Sequence, residues 1–318
     1  MKIGTYLNGV EKRLFVQDGD TAIDLLQAED RADFVDMISF IRGGDASKSA
    51  AEKILAARPP NACKPIEEIK LAEPLPPSTV LCAGSNYHAH NAEKASSPLS
   101  GREPEFFLKT SDCVIGPHAP ILYDERLSQK LDCETELAIV IGRPGRFIAV
   151  EDALDHVFGY TISNDVTARD RQVRMTDDGI VFYELGRGKA FDAALPLGPI
   201  IATTAEIADP QKLSLFTEIN GEPRQSASTS DMIWTCAELI HFFSINFTLR
   251  PGMVILTGTP AGTAWSVDAE LGGKWQPTEG LVPASRYCLP GDTVTSAIKG
   301  IGVLENPVIQ YQDNLNSP

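Results

Sequence analysis

The chain is poor in positive charge and has no long apolar run. Its 318 residues carry 28 Lys and Arg against 43 Asp and Glu, a formal net charge of −15. Such an anion is repelled by phosphate backbones and acidic headgroups, so neither nucleic acid nor a membrane surface is an expected partner. No apolar stretch reaches the roughly 18 residues that a membrane-spanning helix needs. The start, Met1-Lys2-Ile3-Gly4-Thr5-Tyr6-Leu7, shows neither the apolar segment nor the cleavage site of a secretory leader, and the expected location is the cytoplasm. Cysteine is sparse and scattered (63, 82, 113, 133, 236 and 288). That spacing excludes a disulfide frame and a zinc knuckle, and predicts reduced thiols inside the core. Histidine is scarcer still, with five in all, and His118, His156 and His241 sit in no motif and read as structural.

What the chain does have is enough apolar residue, 43%, to bury a large core. A division falls near residue 75, where Pro74-Leu75-Pro76-Pro77 reads as an extended linker. Residues 1–75 form the smaller unit: a hairpin of 2–7 and 13–16 through Asn8-Gly9, then helical patterns at 21–26, 33–41 and 46–57. Residues 76–318 form the larger unit, in which short β-branched strands punctuated by Gly and Pro predominate, with helices near 166–175 and 235–247. The alternation is irregular rather than a repeating βαβ, which predicts an α+β fold with a mixed, rolled sheet.

The chemistry starts at Glu134 and Glu136, at the front of the run Leu137-Ala138-Ile139-Val140-Ile141-Gly142. A run this rich in branched residues is a buried strand, and residues two apart on a strand point the same way. Two carboxylates therefore converge, and Asp132 continues the face. About 30 residues on, an apolar strand ends in Asn164-Asp165 and passes into a helical turn, with Asp165 as its N-cap and Arg169 and Gln172 sharing a face at i, i+3. Glu134, Glu136 and Asp165 together make an oxygen-ligand set suited to Mg²⁺ or Mn²⁺, with Ca²⁺ as a third hard cation. The alternative is a solvated strand end that happens to be acidic.

At this point the chain resembles the fumarylacetoacetate hydrolase family. The resemblance runs from about Val80 to Val308 through Gly84-Ser85-Asn86-Tyr87-His88-Ala89-His90-Asn91-Ala92-Glu93, Pro104-Glu105-Phe106-Phe107-Leu108-Lys109, the Glu-x-Glu strand and Asn164-Asp165-Val166-Thr167-Ala168-Arg169-Asp170. It continues through Gly188-Lys189-Ala190-Phe191-Asp192, Asn220-Gly221-Glu222, Thr257-Gly258-Thr259-Pro260 and Pro290-Gly291-Asp292. The resemblance implies metal ligation by Glu134, Glu136 and Asp165. It implies a catalytic pair of His90 and Glu93, for which spacing alone leaves His88 as a rival, together with an active-site Lys189. Arg169, Gln172 and Thr259 would bind substrate, and Lys109 would pack or balance charge near the metal. The polar stretch 91–104 would be a lid with His90 and Glu93 at its base. The sequence departs from the family pattern at Ser85, at Thr110 and in a long stretch from Thr263 to Tyr287, where Trp265 and Trp275 would cover the pocket or a subunit contact.

The chemistry implied is that of small 2-oxo and 2,4-dioxo acids. The expected reaction is hydrolytic C–C cleavage of an acylpyruvate through an enolate whose charge the metal takes up. Isomerisation of a 2-hydroxy-dienoate or decarboxylation of an oxaloacetate-type acid is the alternative, and a scaffold without turnover a more distant one. A homodimer is expected, partly by resemblance and partly because Trp265, Trp275 and Phe106-Phe107 offer apolar surface.

Overall fold

Backbone hydrogen bonding makes this an α+β protein dominated by its sheets. The computed structural model describes residues 1–93, 102–178 and 181–312. The hairpin pairs Lys2–Asn8 with Glu11–Asp18 and turns on Gly9, whose φ of 68° suits a residue without a side chain. Two helical expectations change here. Thr21–Asp24 is a third strand, paired against Glu11–Asp18, and only Leu25–Ala28 is helical, capped by the Asp24 carboxylate. A free hairpin edge gives Thr-Ala-Ile a ladder to join, and that pairing overrides the local helical pattern. The patterns at 33–41 and 46–57 fuse into one helix, Met37–Ala57, kinked at Gly44, after a separate 3₁₀ turn at Ala32–Phe34.

The hairpin does not stand apart. Lys2–Asn8 pairs with Leu195–Thr203, so one sheet runs through both sides of residue 75. Onward from Leu195–Thr203 the order is Val157–Asn164, Thr135–Ile141, Val254–Leu256, Val80–Gly84 and Glu105–Lys109. All of these pairings are antiparallel except Val254–Leu256 with Val80–Gly84, so the sheet is mixed.

Every residue of Thr135–Ile141 and Val157–Asn164 is buried, because both faces of the sheet are covered. Ala138 and Val140 face one core with Phe40, Phe158 and Leu197, while Leu137, Ile139 and Ile141 face another with Leu239, Ile240 and Phe243 of the helix Cys236–Asn246. That helix starts where expected, through a reciprocal cap in which Thr235 and Glu238 bond each other's backbone N–H. A five-stranded sheet, ordered Glu222–Ser228, Ser214–Ile219, Thr293–Ile298, Gly302–Gln310 and Ile121–Tyr123, lies against the start of Thr135–Ile141. There the Thr135 hydroxyl donates to Ser296 at 2.7 Å and stands 2.6 Å from that of Thr217. Among the described residues no helix is long and apolar enough to cross a membrane.

Candidate metal centre

Strand register builds the centre. Thr135 pairs with Asn164, so the entry to one central strand lies beside the exit of its neighbour. The Asp165 N–H donates to the Glu134 carbonyl at 2.8 Å, and the Asn164 amide oxygen accepts the Glu134 N–H at 2.9 Å. Carboxylate oxygens of Glu134, Glu136 and Asp165, all three residues buried, then fall within 4.8 Å of one another.

Two parts of the sequence reading change. Asp165 caps no helix: the short helix Arg169–Gln172 begins after Ala168 with no side-chain cap, because Thr167–Ala168 first forms a bridge with Leu131–Asp132. Nor does Asp132 join the carboxylate cluster. The chain bends between Leu131–Asp132 and Thr135–Ile141, which turns Asp132 toward Arg169 and toward the backbone N–H groups of Ala264 and Trp265, at 2.9 and 3.0 Å.

Three buried carboxylates at such range need positive charge. Lys189 Nζ lies 2.6 Å from both Glu134 and Asp165, Lys109 Nζ 2.8 Å from Asp165, and the Arg169 guanidinium against Glu134. Burial opposes ionisation of Glu134, but Arg169 and Lys189 outweigh it and hold the carboxyl below its usual range. Glu136 makes no ion pair among the described residues. Burial first, then Asp165 and Glu134, push its carboxyl well above the ordinary value, although Lys189 nearby pulls the other way and the Gly258 N–H donates to it at 2.7 Å. Gly258 has a φ of 91° and a Cβ there would meet the Asn86 side chain at 2.7 Å, so only glycine turns the backbone this close. A buried three-carboxylate set whose outlying member makes no ion pair among the described residues matches the oxygen donors of a hard divalent ion, and zinc-type ligands are not among them.

The remaining expected residues gather around the same space, all but Glu93 lining it directly. His90 and Glu93 are buried at the end of the short helix His88–Ala92, with His90 Nδ1 3.0 Å from Glu93 Oε2, and His88 faces outward. The other Glu93 oxygen accepts the Gly262 N–H at 2.8 Å. Arg169 donates to Gln172 at 2.8 Å, the i, i+3 relation read from the sequence. Gly188 lets the Lys189 segment approach Gln172, since a Cβ there would lie 2.5 Å from the Gln172 Cβ. Thr259 borders the cavity too, but its hydroxyl is already engaged, donating to the Thr135 carbonyl at 3.0 Å and accepting from Gln225 at 2.9 Å. His90, Glu134, Glu136, Asp165, Arg169, Gln172, Lys189, Thr259 and Trp265 enclose about 40 Å³. Of the expected lid, residues 94–101 lie outside the described part.

The sequence missed the engagement of Asp132 with the 263–275 loop and the role of Gln225 in holding Thr259. Both depend on long-range partners and leave no local signal. A larger cleft of about 330 Å³ beside Met37–Ala57 is lined by Asp45, Lys48, Arg143 and Phe158. It collects no converging buried polar groups, so it is not the chemical centre.

A buried carboxylate triad at the mouth of a mixed sheet, flanked by a His–Glu pair, defines a class of metal-site enzyme. The family model of the fumarylacetoacetate hydrolase C-terminal domain matches residues 79–309, and the chain belongs to that family. It is 38% identical over 245 residues to oxaloacetate tautomerase YisK of Bacillus subtilis, spanning 76% of this chain and 74% of that protein. It is 35% identical over 274 residues to the human mitochondrial oxaloacetate tautomerase FAHD2A, spanning 86% and 79%. Its fold superposes on maleylpyruvate hydrolase from Sphingobium sp. SYK-6, solved with manganese and pyruvate, with a TM-score of 0.74 and 29% identity over 98% of this chain and 100% of the other.

Proposed function

We propose that this chain is a divalent-metal-dependent tautomerase that interconverts the keto and enol forms of a short 2-oxo dicarboxylic acid such as oxaloacetate. One observation carries the reading: an imidazole held by a buried carboxylate borders a small cavity that also holds the carboxylate triad and the Arg169 guanidinium. The relatives named oxaloacetate tautomerase support it, as they align over most of the chain.

Glu134, Glu136 and Asp165 would hold Mg²⁺ or Mn²⁺, which supplies an electrophilic charge for the substrate oxygens. Glu93 accepts from Nδ1 of His90, which leaves Nε2 as the basic nitrogen. That nitrogen takes the C3 proton of the keto acid and delivers it to the C2 oxygen to give the enol, and in reverse takes the enol O–H proton and returns it to C3. Arg169 and Gln172 orient the carboxylate, and Lys189 adds positive charge where the oxygen becomes negative. Burial of all these groups excludes water, which strengthens each interaction.

Hydrolysis of an acylpyruvate is the second reading, favoured by the superposition on maleylpyruvate hydrolase over nearly the whole chain. Here His90 would activate water instead. The test is spectrophotometric: protein loaded with Mn²⁺ is mixed with enol-oxaloacetate and with acylpyruvates, following enol absorbance and released pyruvate. Accelerated enol loss without pyruvate supports tautomerisation. Pyruvate from an acylpyruvate, with no effect on oxaloacetate, replaces it with hydrolysis.

A further inference from the structure

The long stretch after Thr263 puts one large side chain into the wall of the cavity, and its anchoring is unusually complete. The Trp265 N–H donates to Asp132 at 3.0 Å, and the indole N–H donates to the Leu271 carbonyl at 2.9 Å. The ring packs against the Arg169 guanidinium, 5.1 Å from the ring centroid, and edge-on to His90 and Tyr183, each at 6.4 Å. The loop behind it is tied down at several points. The Asp268 carboxylate accepts from Lys130 and from the Tyr287 hydroxyl, both at 2.7 Å, and the Lys274 N–H donates to the Glu93 carbonyl at 2.8 Å. Gly273 sits so close behind that a Cβ there would meet the Trp265 carbonyl oxygen at 1.9 Å.

We infer that Trp265 determines substrate length: it closes the site to acids longer than oxaloacetate, and it does so as a fixed wall rather than a movable lid. Two physical reasons apply. The ring cannot swing away without breaking its N–H bond and unstacking from Arg169. Its donor is also spent on Leu271, so the face it presents is apolar and has nothing to pair with the polar distal end of a longer acid, whose desolvation is then uncompensated. The inference rests on the oxo-acid reading of the site.

The test compares wild type, Trp265→Phe and Trp265→Ala, each loaded with Mn²⁺, on oxaloacetate, maleylpyruvate and fumarylpyruvate. The expected result is a ratio of kcat/KM for the longer acids over oxaloacetate that rises roughly tenfold or more in Trp265→Ala, with Trp265→Phe between it and wild type. Calorimetric binding of oxalate and of a longer non-reacting dioxo acid gives a second readout, in which the Kd ratio moves the same way. If wild type turns over none of the acids, the proposed function fails while the binding ratio still judges Trp265. A Trp265→Ala protein with wild-type Mn²⁺ affinity and unchanged ratios overturns the inference, as does a wild type that already prefers the longer acids. Should Trp265→Ala not fold, Trp265→Phe and Trp265→Leu decide by the same ratios.

Discussion

Asp132 accepts the Arg169 Nε–H at 2.8 Å, with both side chains 1% exposed. The same carboxylate receives the Ala264 and Trp265 N–H groups, so one buried anion joins the segment leading into Thr135–Ile141, Arg169 and the loop over the cavity. Removing one partner of a buried pair leaves the other uncompensated, which typically costs about 3–5 kcal/mol. Asp132→Ala is expected to lower the free energy of urea unfolding by that order. A loss below about 1 kcal/mol would show that Arg169 finds sufficient compensation in Glu134.

Glu136 is the proposed ligand that makes no ion pair among the described residues. Glu136→Ala is expected to abolish Mn²⁺ binding by calorimetry and turnover with it, while unfolding stays cooperative, because a buried carboxyl without an ion-pair partner is removed rather than a buried charge left unpaired. Full activity of this variant, or of wild type in chelator, sinks the metal assignment.

His90 and His88 separate the catalytic register cleanly, since one is buried against Glu93 and the other faces outward. His90→Ala should lower turnover by roughly 10²–10⁴-fold, the usual contribution of a positioned general base, with Mn²⁺ affinity nearly unchanged. His88→Ala should stay close to wild type. The reverse pattern would move the register by two residues.

A pH dependence of stability arises away from the centre. Hydrogen bonds from Arg286 hold the buried Asp292 carboxyl down at about 2, from a usual 3.8. A depressed carboxyl contributes stability above its unfolded value and loses it as pH falls through the folded one. The shift amounts to about 2 kcal/mol at most, and to about 1 kcal/mol once screening of the half-exposed Arg286 is counted. The stability gap between wild type and Asp292→Asn should be full at pH 5–7 and narrow from pH 4 toward 2. A gap that stays constant across that range contradicts the pairing.

Assembly is the last prediction. We propose a homodimer, and Trp265 is not part of its interface, since it is buried inside its own chain. Of the other expected residues Phe107 is buried and Phe106 is exposed, and Leu108, Val181, Phe182 and Tyr183 add to the exposed apolar surface. Light scattering should give twice the single-chain mass of 34.4 kDa, and a stable monomer at micromolar concentration refutes it.

The sequence alone carried whatever local periodicity and short motifs encode. Leu137 to Ile141 announced a buried strand by composition, Asn8-Gly9 a hairpin, and the pattern at 235–247 a helix. Glu134 and Glu136 pointed at one another because alternate residues of a strand share a face. Tertiary structure decided the rest, since the deciding interactions join residues far apart in the chain. Thr21–Asp24 became a strand only because a hairpin edge lay open to it. Asp165 caps no helix because Thr167–Ala168 first pairs with Leu131–Asp132, and its carboxylate instead meets Lys109 and Lys189 from distant segments. Asp132, one step along the same acidic motif, turned away from the carboxylate triad because Arg169 and the backbone after Thr263 satisfy it better. Strand spacing can place carboxylates on one side of a chain, but only packing determines which of them keeps a cation and which is left to find one.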